Sequence, residues 1–359
     1  MIPPKLRDHI ARLFPGARLL EIKPLAPDSG ATAGSTSKVA GYGEPARLVI
    51  DDSGRRRELV WRVAGPNEFG HDRRSDRAAE TLLAYDDFIK VPSHVAPFDV
   101  GAVRADGELV SLRDAGELYL LTTYAPGTVY AEDLRRLAAG EPIVDRDLER
   151  LDALAGYLAD LHVPIADGHQ RYRRAIRDLI GHGEGIYGII DGYPDDVSGA
   201  PASRLRAIEE RCAASRWRLR DRGERLARTH GDFHPFNIVF DRTTPTLLDA
   251  SRGACGDPAD DLTALAINFV LFAIDARDTW AEGLGVLWRR WLARCAELRP
   301  DPDLLAVAPP FFAWRALVVC NPRFYPKLST AGREALLGLT EHILDAGHLD
   351  PVAAEALFE

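Results

Sequence analysis

The spacing of hydrophobic positions changes along the chain, and the change divides it. Before about residue 125 apolar residues alternate over short runs at Leu19–Leu25, Arg47–Ile50 and Glu58–Val63, the period of β-strands. Asp51-Asp52-Ser53-Gly54 joins the last two runs as a hairpin turn. In the run that follows it, Leu59, Trp61 and Val63 share one face, with Val60 and Arg62 on the other. Val95–Val103 and Leu118–Thr122 read as further strands of one antiparallel sheet. Two stretches of this part have helical spacing: Leu6–Phe14, and His71–Lys90 with Ala78, Leu82, Tyr85 and Ile89 on one stripe. Pro126 and Gly127 then end the strand pattern.

From Ala131 the period becomes helical. Leu148, Leu151, Leu154, Ala155, Leu158 and Leu161 recur at three and four residues, up to Asp160-Leu161-His162-Val163-Pro164, where His162 reads as a capping or core histidine. Leu262–Phe272, Leu284–Leu298, a run from Phe311 and Arg333–Ala346 predict further helices, the third broken at Cys320-Asn321-Pro322. Tyr172–Trp217 is rich in glycine and reads partly as loop. Its Tyr187, Tyr193 and Trp217, set among acidic residues, suit either a pocket for a cationic or sugar-like ligand or a plain connection. Within this helical part Ile238-Val239-Phe240 and Thr246-Leu247-Leu248 flank turn residues Arg242–Pro245 and predict a hairpin. The expectation is an α+β chain of two parts, residues 1–125 with the sheet and one main helix, and residues 126–359, mostly helical.

Composition narrows the class. At 359 residues with 46% hydrophobic content the chain can bury a large core. A net charge of −9 argues against non-specific nucleic-acid binding. Four scattered cysteines, Cys212, Cys255, Cys295 and Cys320, have no zinc spacing and suit a reduced compartment. The N-terminus lacks the apolar core of a signal peptide, and no apolar run approaches the ~20 residues of a membrane span. A cytoplasmic location without membrane attachment is expected.

The candidate chemistry lies at the hairpin. Asn237 opens its first strand and Asp249 closes its second, so pairing sets both at one end, with Asp232 on the loop leading in. An amide oxygen and a carboxylate are hard ligands that suit Mg²⁺, and Asp232 is then free to accept a proton. An Asp, an Asn five residues on and a metal-binding Asp after a hairpin is the spacing of a kinase centre.

Here it is written His230-Gly231-Asp232-x-x-x-x-Asn237, followed by Gly256-Asp257-Pro258-x-x-Asp261-Leu262. This form resembles the aminoglycoside phosphotransferase-like family of small-molecule kinases, with its choline, homoserine and fructosamine kinase relatives. The resemblance implies a bilobal protein-kinase-like fold, Mg²⁺, and transfer of a γ-phosphate from ATP or GTP to a small-molecule hydroxyl such as that of an amino-sugar, an amino-alcohol or an antibiotic. It implies Asp232 as catalytic residue, Asn237 and Asp249 as metal ligands, and a nucleotide site in the N-terminal lobe. That site would use Ser29, Gly30 and Ser35 of a small-residue turn, Thr123 and Ala125 of the hinge, and Arg62 steadied by Glu80. His230, Asp257 and Asp261 correspond to structural positions of the motif, and Asp261 also reads as a helix-start residue. His234, Arg315 and Tyr325 are candidates for the acceptor pocket, and Trp314 for core packing.

Two departures stand out. Arg62 replaces the usual strand lysine, a role Lys38 could also fill, and Ala250-Ser251 follows Asp249 where an aromatic and an acid are common. Arg62 leaves open a second reading, a degenerate kinase fold that binds nucleotide without transferring phosphate.

Overall fold

A computed structural model describes residues 2–25, 45–166, 168–250 and 252–359. The chain forms two compact units, Met1–Thr122 and Thr123–Glu359.

In the first unit α1 (Leu6–Leu13) precedes the strands β1 (Arg18–Pro24), β2 (Ala46–Asp52) and β3 (Arg55–Trp61). They make an antiparallel sheet in that order, with Ser53-Gly54 at the β2–β3 turn. Leu6 and Ile10 of α1 bury against Leu19, Leu48 and Ile50, and Leu59 and Trp61 pack on the edge of this cluster. That is the face assigned by alternation; Val60 is exposed, and so is Val63 beyond the strand.

Helix α2 (Arg74–Asp87) forms within the predicted His71–Lys90 stretch, but no residue of it is buried, and Ala78 and Ile89 of the expected stripe are exposed. The later strands differ more. Val95–Val103 contributes only β4 (Gly101–Val103), which turns at Asp106-Gly107 and pairs with β5 (Leu109–Ser111). Leu118–Thr122 forms no strand and is exposed. Closing a few residues through an Asp-Gly turn costs less chain entropy than fetching a partner from further on, so the local hairpin forms.

The second unit opens on β6 (Thr128–Val129), α3 (Tyr130–Ala138) and α4 (Asp145–Leu161). In α4, Asp147 accepts from the Val144 N–H, closing the first turn, and Leu151, Leu154, Ala155 and Leu158 form the buried stripe. Residues 172–217, read partly as loop, are mainly helical: α5 (His169–Gly181), α6 (Ile186–Asp191) and α7 (Ala202–Leu219). Most of the glycines cluster at helix ends, with Gly181 closing α5 and Gly185 and Gly192 flanking α6.

The predicted hairpin is β7 (Ile238–Asp241) and β8 (Thr244–Leu247), with Ile238 opposite Leu247 and Arg242-Thr243 at the turn. Pro245 falls in β8, an edge strand, where its missing N–H is tolerated. On the other side β6 pairs with β7, and Gly127, at φ +136°, lies so close to Phe240 that an added Cβ would sit 2.3 Å from its carbonyl oxygen.

Helices α8 (Pro258–Ile274), α9 (Gly285–Leu298), α10 (Leu304–Val307), α11 (Pro309–Cys320), α12 (Thr330–Ala346) and α13 (Pro351–Glu355) complete the unit. α8 and α11 are apolar on nearly every side and buried on nearly every side, as such helices must be. Phe233, Phe269, Trp288, Trp291 and Phe312 are central to the core. Among the described residues no helix is long and apolar enough to cross a membrane.

Candidate active site

The loop before β7 is held from beneath by α8. Asp261, wholly buried in the first turn of α8, accepts from the backbone N–H groups of His230 and Gly231 at 2.8 Å each and from His162 Nε2 at 3.0 Å. His162, at the end of α4, is thus the buried capping histidine expected. The N-cap of α8 is Asp257 and not Asp261: its carboxylate accepts from Ala259 N at 3.0 Å, and Pro258 takes the first helical position. Asp257 is itself clamped by Arg225 at 2.7 and 2.9 Å and by the Tyr172 hydroxyl at 2.7 Å. These anchors fix the loop whose tip carries Asp232. Gly231 has φ +81°, a left-handed conformation that disfavours a larger residue, and Arg stands at this place in protein kinases.

Asp232 is buried. Asp232 N donates to His230 Nδ1 at 3.2 Å, so that ring nitrogen is an acceptor and His230 serves the loop. Asn237, in a 3₁₀ turn with Pro235 and Phe236, donates its amide to Asp232 O at 3.1 Å and to Asp232 Oδ2 at 3.3 Å. His234 caps that turn by accepting from Phe236 N, and its Nε2 lies 3.5 Å from Asp232 Oδ2. On the other carboxylate oxygen, Arg315 of α11 donates to Asp232 Oδ1 at 2.6 Å.

The same guanidinium donates to the Gly231 carbonyl at 2.9 Å and to Asp260 Oδ1 at 2.5 Å. Burial alone would push the Asp232 carboxyl up; His234, Arg315 and Arg252 outweigh it and hold the group well below the usual carboxylate range. Burial also raises Asp260, to about 6, with the charge of Asp261 adding to it and Arg315 opposing.

Trp314 buries in the core, as expected, and has a second role. The guanidiniums of Arg315 and Arg252 lie over its ring at 3.8 and 4.3 Å from the centroid, and its Nε1 donates to Glu184 O at 2.8 Å. Tyr325 is half-buried against Phe236, and burial together with the Asp232 charge pushes its hydroxyl up to about 12. Of the three acceptor-pocket candidates, His234 and Arg315 touch the Asp232 carboxylate and Tyr325 feels its charge.

Asn237 and Asp249 meet at one end of the hairpin. Leu248 N donates to Asn237 O at 2.8 Å, and Asp249 follows with an exposed carboxylate and φ +51°. Because the Asn237 nitrogen faces Asp232, its oxygen is left for a cation, and oxygen donors of this kind suit Mg²⁺. Among the described residues there is no group of three or more His, Cys, Asp or Glu placed to hold a metal.

The nucleotide candidates come from earlier in the chain. Ser29, Gly30 and Ser35, with Lys38, are outside the described residues, as is Ser251. Arg62 is exposed one residue beyond β3, while Glu80 pairs with His71 Nε2 at 3.2 Å and not with Arg62. His71 sits nearer along the chain, just before α2. Thr123 is exposed and Ala125 half-buried in an irregular segment. Trp217, an aromatic candidate for a cationic ligand, is exposed but has Arg216 and Arg220 over its ring; Tyr193 is buried with its hydroxyl on Leu317 O at 2.6 Å. These two do not form a cation box. Sequence reasoning missed Arg252 and Asp260, for which the signal was an Arg soon after Asp249 and the Asp260-Asp261 doublet.

Among solved structures, the chain resembles a thermostable mutant of the aminoglycoside phosphotransferase APH(4)-Ia in its apo form. Identity is 13%, coverage 95% of this chain and 99% of that one, and the TM-score 0.38. For the ethanolamine kinase of Plasmodium vivax the figures are 11%, 92%, 82% and 0.35, and for a glucosamine kinase 14%, 97%, 95% and 0.36. No curated protein matches the chain in sequence. The model of the APH family, described as a phosphotransferase enzyme family, matches residues 40–299, which include the whole loop and hairpin described above. The chain belongs to this phosphotransferase enzyme family.

Proposed function

We propose that the protein transfers the γ-phosphate of ATP or GTP, with Mg²⁺, to a hydroxyl of a small-molecule acceptor. The observation that carries this reading is the Asp232 carboxylate, held by Arg315 and Asn237 on the loop that leads into the hairpin whose one end carries Asn237 and Asp249. Phosphoryl transfer asks a protein for positioning and charge neutralisation more than for covalent chemistry. Arg315 bonds Oδ1 at 2.6 Å, and Oδ2, which takes the longer 3.3 Å contact from the Asn237 amide, keeps the acceptor capacity to receive the hydroxyl. The acceptor oxygen forms the new P–O bond, the bond to the nucleoside diphosphate breaks, and the hydroxyl proton passes toward Asp232. Asn237 and Asp249 would hold Mg²⁺, which when bound would supply neutralising charge to the phosphate. Of the nucleotide candidates, Arg62 belongs to the first unit and would pair with phosphate, a role Lys38 could also fill, while Thr123 and Ala125 open the second unit and would contact the base; Ser29, Gly30 and Ser35 would serve the phosphates.

The test is binding and hydrolysis of MgATP and MgGTP by the wild type and by Asp232→Asn. The expected outcome is nucleotide binding by both proteins, with turnover lower in the variant by roughly 10²–10⁴-fold, the usual contribution of a positioned base. A second reading, a nucleotide-binding module without transfer, draws support from the exposed Arg62 and from Glu80 being paired with His71. Nucleotide binding with no turnover by the wild type toward any amino-sugar, amino-alcohol or nucleoside acceptor would favour it.

A further inference from the structure

Among the described residues, Arg252 is a charged group beside Asp232 with a buried nitrogen that has no hydrogen-bond partner. It lies three residues beyond Asp249, and its side chain is three-quarters buried, at 24% exposure. Its nearest carboxylate oxygens are Glu184 Oε2 at 3.7 Å from Nε and Asp232 Oδ1 at 4.0 Å from Nη2, both beyond hydrogen-bonding distance. Its Nη1 is fully buried with no hydrogen-bond partner. Arg315 differs, with Asp232, Asp260 and the Gly231 carbonyl all bonded. A fully buried guanidinium nitrogen without a hydrogen bond is costly to keep, because it has given up water for nothing. What it lacks is an oxyanion.

The position says where that oxyanion belongs. Arg252 stacks on Trp314, which orients its plane, and its Nη2 approaches the oxygen of Asp232 opposite the edge turned to His234 and Asn237. A group received there would lie within a few ångströms of the reacting hydroxyl. The Trp314 ring, moreover, has two guanidiniums of the protein over it and offers no free aromatic surface to a cationic ligand.

We infer that Arg252 is an oxyanion-binding residue of the reaction centre, taking a phosphoryl or carboxylate group in the fork of its guanidinium. Two sources share this chemistry: the phosphoryl group in transfer, and an anionic group carried by the acceptor next to its hydroxyl. The inference rests on the phosphotransferase reading of the Asp232 site.

The experiment titrates the full chain with inorganic phosphate, glycerate, glycerol and ethanolamine, with and without MgATP, following tryptophan fluorescence and heat. It uses the wild type, Arg252→Lys and Arg252→Met, each checked for native melting. The expected result is binding of phosphate or glycerate in preference to glycerol and ethanolamine, weakened roughly 10- to 100-fold in Arg252→Met, as befits charge-assisted hydrogen bonds. Arg252→Lys falls between and separates lost charge from lost packing. Phosphate binding displaced by MgATP assigns the site to the transferred group; glycerate binding that persists beside MgATP assigns it to the acceptor. Equal anion binding by wild type and Arg252→Met, or a preference for ethanolamine, overturns the inference. MgATP binding in the same preparations keeps the two failures apart: normal nucleotide handling with no Arg252 effect sinks only this proposal, whereas no nucleotide binding at all sinks the kinase reading.

Discussion

Replacing Arg315 with Met keeps most of the aliphatic bulk and removes a guanidinium that bridges Asp232 at 2.6 Å, the Gly231 carbonyl at 2.9 Å and Asp260 at 2.5 Å. The side chains are 6%, 12% and 15% exposed for Arg315, Asp232 and Asp260, so water screens the network little. Removing one partner of a buried ion pair costs about 3–5 kcal/mol, because the charge left behind has no compensation. Here two carboxylates are left, and they relieve the cost by taking up protons. In the wild type the Asp232 pKa lies below its unfolded value of about 3.9. Its ionisation therefore stabilises the fold above that pH, and the contribution disappears only as pH falls through the depressed native value. Without Arg315 the native pKa rises, and if it passes the unfolded value, stability falls as pH climbs between the two.

Urea denaturation at pH 5 and pH 8, with turnover followed against pH, tests this. Arg315→Met is expected to lose about 3–5 kcal/mol at pH 8 and less at pH 5, with the acid limb of kcat/KM moved to higher pH. Arg315→Lys, which keeps the charge without the fork, should recover the limb more than the stability. A variant within about 1 kcal/mol of the wild type at both pH values, with an unmoved acid limb, would refute the reasoning.

Two further outcomes are expected. Asp249→Ala should abolish Mg²⁺-dependent nucleotide binding by calorimetry and leave thermal stability nearly unchanged, since the carboxylate is exposed; normal binding of MgATP would remove Asp249 from the metal site. Gly127→Ala places a Cβ 2.3 Å from the Phe240 carbonyl oxygen at φ +136° and should cost about 1–3 kcal/mol in urea denaturation, so an unchanged midpoint would contradict the close approach of β6 to β7.

Much of the second unit was legible because its signals are local. α8 and α11 are long apolar runs, the β7–β8 hairpin has its turn in sequence, and the loop has its residues at fixed offsets. What could not be read were choices between competing partners. Leu118–Thr122 has the apolar content of a strand, but Gly101–Val103 took a nearer partner through Asp106-Gly107. The glycines of 181–192 suggested loop and fall mostly at helix ends. Asp261 read as a helix-start residue, but the hydrogen bonds make Asp257 the cap and Asp261 the anchor of the loop. Arg315 was visible only as a pocket candidate, because nothing in its own neighbourhood tells which carboxylates it will reach.

The separation between Arg315 and its carboxylate has a consequence for when the protein becomes active. The loop residues from His230 to Asn237 leave the ribosome together, but Arg315, which with His234 and Arg252 holds the Asp232 carboxyl low and which bonds its Oδ1, is 83 residues further on. A nascent chain can display the complete motif and still lack the geometry proposed for Asp232. Local opening of α11 in the finished protein would undo that competence while the loop, pinned separately by Asp261, stays in place. If Asp232 is the base, activity is therefore expected to fade before the fold does on heating, with α11 acting as the switch for the loop that carries Asp232.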